Sequence, residues 1–322
     1  MYLTPSGDGD VRRKLVTSSS VASMAESLRE NAHVERSSVR AGELDVTYLA
    51  CGSGPLALCM HGFPDSPFTW RHLMPVLAER GYRAVAPFQR GYAPTTVAPS
   101  GVYQTAALAR DANALHEALG GDEHAIIIGH DWGAPTVCGA ALDEPRRWSK
   151  VVSMSVPPGP ALGVSFLGNL AQIQRSWYMF FFQHALSNHV VAANDLAFID
   201  MLWSQWSPGY DASDDLPHVK DALRNPEHLQ AALGYYRATL GDGKRDPELS
   251  ALQLRIGSEF PSQPMLYLHG ENCGCIGIEV AQAAQATAPS HVRFEYVADA
   301  GHFVQVEQPA RVNQLILDFL AS

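Results

Sequence analysis

The chain has 322 residues, of which 46% are hydrophobic, a fraction typical of a globular protein with a sizeable core rather than of a disordered one. A formal net charge of -10 disfavours nucleic acid and membranes with anionic lipids as partners, because an acidic surface repels phosphate groups. The chain has five cysteines, an odd number, and their spacing matches neither a disulfide framework nor a zinc site. The sequence also predicts no signal peptide and no apolar segment long enough to span a membrane. We therefore expect a cytoplasmic protein.

Residues 1–35 are polar and lack a steady apolar period, and the sequence predicts an extension of uncertain order there. After them, short apolar runs alternate with segments of helical spacing. They predict strands at 39–48 (with a turn at 41–43), 56–60, 83–86, 125–128 and 151–154, and helices at 73–79, 104–119 and 134–142. This alternation predicts a mostly parallel sheet with helices on both faces.

The alternation stops at Pro157-Pro158. Residues 158–250 are rich in aromatic side chains and helix-like throughout, so we expect a helical lid inserted into the sheet domain. Strands at 265–268 and 292–297 and helices at 278–288 and 309–320 then resume the first pattern. The sequence thus predicts a core of two parts, 36–157 and 251–322, separated by the lid.

The segment Gly129-His130-Asp131-Trp132-Gly133 directly follows an apolar strand and precedes a helix. Two glycines that flank a central residue at this spacing are the pattern of a nucleophile elbow, in which a sharp turn exposes that residue at a helix N-terminus. Most such elbows carry serine. A carboxylate at this position needs no activating base and can displace at an sp³ carbon, as in an epoxide or an alkyl halide.

A second turn, His61-Gly62-Phe63-Pro64, follows the strand predicted at 56–60. A loop at this place can direct the backbone N–H of Phe63 at a developing oxyanion, with the N–H of Trp132 as the second donor. The sequence therefore predicts an oxyanion hole formed by Phe63 and Trp132.

His302 lies between the last predicted strand and the last helix. A histidine that follows the nucleophile in the chain at this place is in the position of a general base. The acid that should orient it is expected after the strand at 265–268, but Cys273 occupies that position, and a thiol is a weak acceptor. Three explanations stay open. Glu271 orients His302 in place of the missing acid, the ester that the substrate would form with Asp131 is hydrolysed slowly, or the sequence has been altered at Cys273.

With these motifs in place, the chain from about residue 36 onward resembles the epoxide hydrolases of the α/β-hydrolase fold, through His61-Gly62-Phe63-Pro64 and Gly129-His130-Asp131-Trp132-Gly133. The resemblance implies an α/β-hydrolase fold with a lid. It also implies two lid tyrosines that donate hydrogen bonds to the epoxide oxygen, and these match Tyr178 and Tyr236, with Tyr235 as the neighbouring alternative. An acid is expected in the family where this chain has Cys273.

The implied reaction converts a small apolar epoxide and water to a vicinal diol, through an ester on Asp131 that is hydrolysed by water activated by His302. It requires neither a metal nor an organic cofactor. Haloalkane dehalogenases share both motifs, so that activity is one alternative. A binding protein on an impaired hydrolase scaffold is another, because of Cys273, and a homodimer is left open.

Overall fold

The computed structural model describes residues 34–322, which form an eight-stranded sheet. Most of the predicted extension at 1–35 lies outside the described residues. The strands are β1 (Glu35–Ala41), β2 (Leu44–Cys51), β3 (Leu56–Met60), β4 (Arg83–Pro87), β5 (Ile126–His130), β6 (Lys150–Met154), β7 (Met265–Gly270) and β8 (Val292–Val297). Their spatial order is β1-β2-β4-β3-β5-β6-β7-β8, antiparallel from β1 to β4 and parallel from there on, which confirms the predicted mostly parallel sheet.

The edge of the sheet differs from the prediction of one strand at 39–48. The turn predicted at 41–43 divides this segment into the hairpin β1-β2, in which Arg40 pairs with Asp45 and Ala41 with Leu44. Gly42 has a φ of 54°, a left-handed conformation that glycine adopts without steric penalty. The hairpin extends the sheet beyond the central strands β3 and β5, which are buried over their whole length, as an uninterrupted apolar run requires.

Helices surround the sheet. In the sheet domain they are α1 (Met74–Glu79), α2 (Thr105–Ala118) and α3 (Gly133–Asp143) before β6, and α11 (Ile278–Thr287), α12 (Val304–Glu307) and α13 (Pro309–Ala321) after β7. The predicted helices agree with these to within about two residues at each end. The short helix α12, directly after the predicted base, is absent from the sequence prediction because four residues carry no readable period.

Between β6 and β7 the described chain contains helices and no strand. They are α4 (Ala161–Ser165), α5 (Leu170–Arg175), α6 (Trp177–Phe181), α7 (Ser187–Trp206), α8 (Leu216–Leu223), α9 (Pro226–Leu240) and α10 (Ser250–Ile256). Helix α7 is interrupted by non-helical backbone at 193–196. An aromatic-rich apolar cluster packs α6, α7 and α9 onto the loops at the carboxyl ends of the parallel strands, the edge at which open α/β sheets bind ligands.

A buried ion pair lies beneath α9. The guanidinium of Arg90 donates to both carboxylate oxygens of Asp111, at 2.6 and 2.7 Å, and also to Glu43 at 2.6 Å. The carbonyl of Arg90 accepts the hydroxyl of Tyr235 on α9. Because a buried guanidinium without partners is costly, these contacts fix the loop after β4 against both α2 and the lid. No helix in the described part of the chain is long and apolar enough to cross a membrane.

Candidate active site

Asp131 lies at the turn between β5 and α3, with a φ of 52°. Such a conformation is unfavourable for a residue with a side chain and is held here by close packing on both sides. A Cβ at Gly129 would lie 2.2 Å from the carbonyl oxygen of Gly133, and a Cβ at Gly133 would lie 2.1 Å from that of Met60. The two glycines of the motif are therefore required by close backbone approach.

Each carboxylate oxygen of Asp131 has its own partner. Oδ1 accepts the backbone N–H of Phe63 at 2.8 Å, and Oδ2 lies 3.1 Å from Nε2 of His302. Burial acts to raise the pKa of Asp131, but the hydrogen bond from His302, the charge that His302 carries when protonated and the N–H of Phe63 outweigh it, and the pKa is lowered. The carboxylate is thus ionised at neutral pH, as a nucleophile must be.

The loop of the predicted oxyanion hole lies directly against Asp131. It contains a cis peptide bond between Phe63 and Pro64, and its Phe63 N–H already holds one oxygen of the carboxylate. Trp132 is the N-cap residue of α3, so its backbone N–H belongs to the orphan donors at the start of that helix. The structure therefore places both predicted donors next to the nucleophile.

The backbone of His302 is held from both sides. Its N–H donates to the carbonyl of Trp206 and to Oγ of Ser207, each at 3.0 Å. Its carbonyl accepts Oγ of Ser155 at 2.6 Å and lies 2.9 Å from Nε2 of His130. These bonds fix the main chain of His302, and the partners of the imidazole then orient its ring.

A carboxylate that the sequence analysis missed supports the same loop. Glu307, on α12, accepts Oγ of Ser207 at 2.5 Å and the N–H groups of Gly301 and Phe303 at 2.6 and 2.9 Å. Ser207 follows lid helix α7, so the network joins the lid to the loop of His302. No residue pattern indicated this role, because Glu307 lies on a helix of four residues and acts through main-chain N–H groups.

Cys273 occupies the place of the missing acid. Its Sγ lies 3.4 Å from Nδ1 of His302, while the side chain of Glu271 is exposed and makes no hydrogen bond to His302 in the described structure. Burial raises the pKa of the Cys273 thiol to about 12, although the backbone N–H groups of Ile276 and Cys275 oppose the shift. The group beside Nδ1 is therefore a neutral thiol.

The tautomer of His302 follows from these neighbours. Burial lowers the pKa of His302, so its ring is neutral at pH 7 and carries one N–H. The ionised Asp131 accepts hydrogen bonds only, and we infer that this proton is on Nε2, with Cys273 donating S–H to Nδ1. A general base acting through Nε2 needs the other tautomer, which a carboxylate in place of Cys273 would favour.

The predicted lid tyrosines converge above Asp131. The hydroxyl of Tyr236 is buried and makes no hydrogen bond of ordinary geometry within the described residues, and that of Tyr178 lies 3.3 Å from Sγ of Cys275. Burial and the charge of Asp131 hold the pKa of Tyr236 well above its usual value, so it stays a donor. Tyr235, the alternative, instead donates to the carbonyl of Arg90, away from the nucleophile.

Cys275 is a second thiol at the site that the sequence analysis did not select. Its side chain is buried, and one ligand atom each of Cys275, Asp131 and His302 lie within 4.8 Å of one another. Its spacing from Cys273 gave no signal, because this loop consists of turns and bends, in which a separation of two residues does not fix the direction of a side chain.

A cavity of about 240 Å³ extends from Asp131 between core and lid. Tyr236 and Cys275 line its inner end together with Asp131. Its remaining lining is mainly apolar and includes Trp132, Val156, Leu162, Phe166, Met179, Leu240 and Ile256. A cavity of this kind, with a few polar groups at one end, suits a small apolar molecule.

Residues 55–309 match the family model of the α/β hydrolase fold. The chain belongs to the α/β hydrolase fold family. This α/β hydrolase is 30% identical over 277 residues to the AB hydrolase superfamily protein YfhM of Bacillus subtilis, covering 83% of this chain and 90% of that protein. It is 28% identical to epoxide hydrolase B of Mycobacterium tuberculosis, over 83% of this chain and 91% of that protein.

Among solved structures, this α/β hydrolase is similar in fold to the epoxide hydrolase of Bacillus megaterium, with a TM-score of 0.74 and 23% identity. The match covers 89% of this chain and 100% of that one. The predicted fold class and the resemblance to epoxide hydrolases are confirmed by these similarities, and the chain is a hydrolase.

Proposed function

We propose that the protein is an epoxide hydrolase that forms an ester between Asp131 and its substrate. The observation that carries this proposal is that the ionised carboxylate of Asp131 and the buried hydroxyl of Tyr236, which has Trp132 and Tyr178 as neighbours, line the same apolar cavity. A nucleophile and a proton donor so arranged can act on the carbon and the oxygen of the same small ring. The relatives named epoxide hydrolases support the same substrate class.

In the first step, Oδ2 of Asp131 gives up its contact with Nε2 of His302 and attacks a ring carbon, while Oδ1 stays on the N–H of Phe63. The carbon–oxygen bond of the ring breaks, and its electron pair goes to the oxygen. Tyr236 and Tyr178 stabilise the alkoxide that develops, and one phenol supplies its proton. Tyr178 must leave the thiol of Cys275 to take part, since its hydroxyl contacts Sγ in the free protein.

In the second step, water attacks the carbonyl carbon of the ester. Once Oδ2 is esterified, it no longer holds the proton of Nε2, and His302 can turn to the tautomer with a free Nε2 and accept a proton from water. Oδ1 becomes the oxyanion, already beside the N–H of Phe63 and close to that of Trp132. Collapse breaks the ester bond, and the leaving oxygen of the diol takes the proton that His302 accepted from water. The proton of the hydroxyl added to the carboxyl group returns the phenolate to phenol, which restores the carboxylate of Asp131.

The proposed test is a single turnover of purified protein with styrene oxide in water labelled with heavy oxygen. We expect the label in the carboxylate of Asp131 and not in the diol, because the diol takes its oxygen from the enzyme in the first cycle. The Asp131→Ala variant should form neither diol nor a covalent adduct. Label in the diol of the first turnover would mean direct attack by water and would refute the ester.

Haloalkane dehalogenation remains the competing activity, because it uses the same nucleophile. A dehalogenase would hold the halide with the indole N–H groups of Trp132 and of a lid tryptophan. Trp132 lines the cavity, but the N–H of Trp203 in the lid is engaged by the carbonyl of Pro64 at 2.8 Å. The buried phenol of Tyr236, in contrast, suits an epoxide oxygen. Halide release from a chloroalkane without diol from a panel of epoxides would reverse this preference.

A further inference from the structure

We propose that Asp131, Cys275 and His302 form a binding site for a thiophilic divalent cation of the zinc class, and that the bound cation blocks the nucleophile. This is the one group of its kind in the described part of the chain, and one ligand atom of each residue lies within 4.8 Å of the others. The cation is an inhibitor in this proposal and has no part in the reaction.

The spacing of the three ligand atoms approaches that of a tetrahedral site. Bond lengths of about 2.0 Å to nitrogen and oxygen and 2.3 Å to sulfur place the N and O ligands about 3.3 Å apart and the sulfur about 3.5 Å from each. Nε2 of His302 and Oδ2 of Asp131 are already 3.1 Å apart. Sγ of Cys275 needs a shift on the order of 1 Å, within reach of a side-chain movement.

The ligand types determine which cation fits. Thiolate and imidazole favour zinc and other soft cations, whereas magnesium and calcium prefer oxygen ligands alone. When Nε2 of His302 binds the metal, the ring proton is on Nδ1. Sγ of Cys273, 3.4 Å away, can then accept a hydrogen bond from Nδ1–H. Cys275 binds as thiolate and gives its proton to solvent when the cation binds.

Access and the fourth coordination position are provided by the cavity. Asp131 and Cys275 both line it, so a cation can reach them without a change of fold. The hydroxyl of Tyr236 lines the same end and makes no hydrogen bond of ordinary geometry within the described residues. It can therefore accept a hydrogen bond from a water molecule on the metal, which completes a tetrahedron of three protein ligands and one water.

The consequence is competition between the cation and the substrate for Asp131. The carboxylate oxygen proposed to attack the epoxide is the oxygen that would bind the metal. A bound cation would also remove the lone pair of Nε2 that His302 needs as a base. Inhibition should therefore appear in the formation of the ester and in its hydrolysis, and should be reversed by a chelator.

The experiment is a titration of the full chain with Co²⁺, whose bond to a thiolate gives a charge-transfer absorption in the near ultraviolet. We expect one equivalent to produce this band in the wild type and in Cys51→Ser, a control that alters a buried thiol on β2 away from the site. The band should be absent in Cys275→Ser and Cys275→Ala. Zn²⁺ should displace Co²⁺ from the wild type and abolish the band, and Mg²⁺ should not.

The same variants separate this proposal from the proposed function, because the spectrum does not depend on turnover. The apparent Kd for Zn²⁺ is measured by competition with a chromophoric chelator. It should be higher in Cys275→Ser than in the wild type, by more than the 10–100-fold that is typical when a metal site loses an outer-shell partner. Absence of the band in the wild type, or its persistence in both Cys275 variants, would overturn the site. A band without slower diol formation in an active enzyme would overturn the block.

Discussion

Replacing Cys273 by aspartate should accelerate hydrolysis of the ester on Asp131. The pocket around this side chain already suits a carboxylate, since the N–H of Ile276 points at Sγ from 3.4 Å and Nδ1 of His302 lies at the same distance. A carboxylate there would hold the proton on Nδ1 and stabilise the imidazolium formed when water is deprotonated. A neutral thiol does neither well.

The size of the effect can be bounded from the geometry. Loss of the corresponding acid in a serine protease costs about 10⁴-fold in rate through the wrong tautomer. Here the backbone of His302 is fixed by four hydrogen bonds that the substitution leaves alone, so orientation is partly secured in the wild type. We expect Cys273→Asp to raise the hydrolysis rate by about 10²- to 10⁴-fold, roughly 3 to 5 kcal/mol of barrier.

The assay is rapid quench with mass spectrometry of the intact protein, which follows decay of the ester separately from its formation. Cys273→Asn is the matched control, because asparagine has nearly the volume of aspartate and no charge. The ester should accumulate in the wild type and in Cys273→Asn and decay quickly in Cys273→Asp. Equal decay in all three proteins would refute the argument from the tautomer.

Three further predictions follow from the site and its support. Tyr236→Phe should lower the rate of ester formation by about 10²- to 10³-fold, the usual cost of one lost donor, whereas Tyr235→Phe should leave that step nearly unchanged, as single-turnover kinetics would reveal. Burial lowers the pKa of His302, so the base should stay unprotonated at pH values at which an ordinary histidine is already protonated. The rate of ester hydrolysis, measured against pH, should therefore decline only at pH values below the ordinary histidine range. A decline centred above that range would contradict the lowered pKa. Asp111→Ala should destabilise the fold by about 3 kcal/mol in denaturant unfolding, since it leaves the guanidinium of Arg90 short of a buried partner, and a loss under about 1 kcal/mol would show that Arg90 is satisfied without it.

The sheet was readable from sequence because its strands are continuous apolar runs, and such runs have few alternatives to a buried parallel strand. β5, with three consecutive isoleucines followed by Gly129, predicted the position of Asp131 directly. The hairpin β1-β2 was less accessible, since its outer strand is exposed and has no apolar period. The cytoplasmic location stays a prediction.

The residues of the site that lie in a sequence motif could be predicted, because the motif determines the backbone around them. The residues that the path of a loop brings to the site could not. Asp131, Phe63 and Trp132 come from two such motifs, and the structure brings them together. Cys275 reaches the nucleophile only through the path of the loop after β7, and Glu307 acts through main-chain N–H groups that no residue pattern reveals. Both depend on tertiary contacts and not on local spacing.

The carbonyl of Trp206, at the end of lid helix α7, affects how substrate can enter the cavity and how diol can leave it. It accepts the N–H of His302 at 3.0 Å and that of Gly274 at 2.9 Å, and thereby ties the lid to both loops beneath it. Lifting this part of the lid would break both bonds and displace the imidazole from Asp131. We therefore expect substrate and diol to pass through the mouth of the cavity while the lid stays seated, so that the width of this passage, and not the strength of the chemistry, sets the largest molecule the protein can accept.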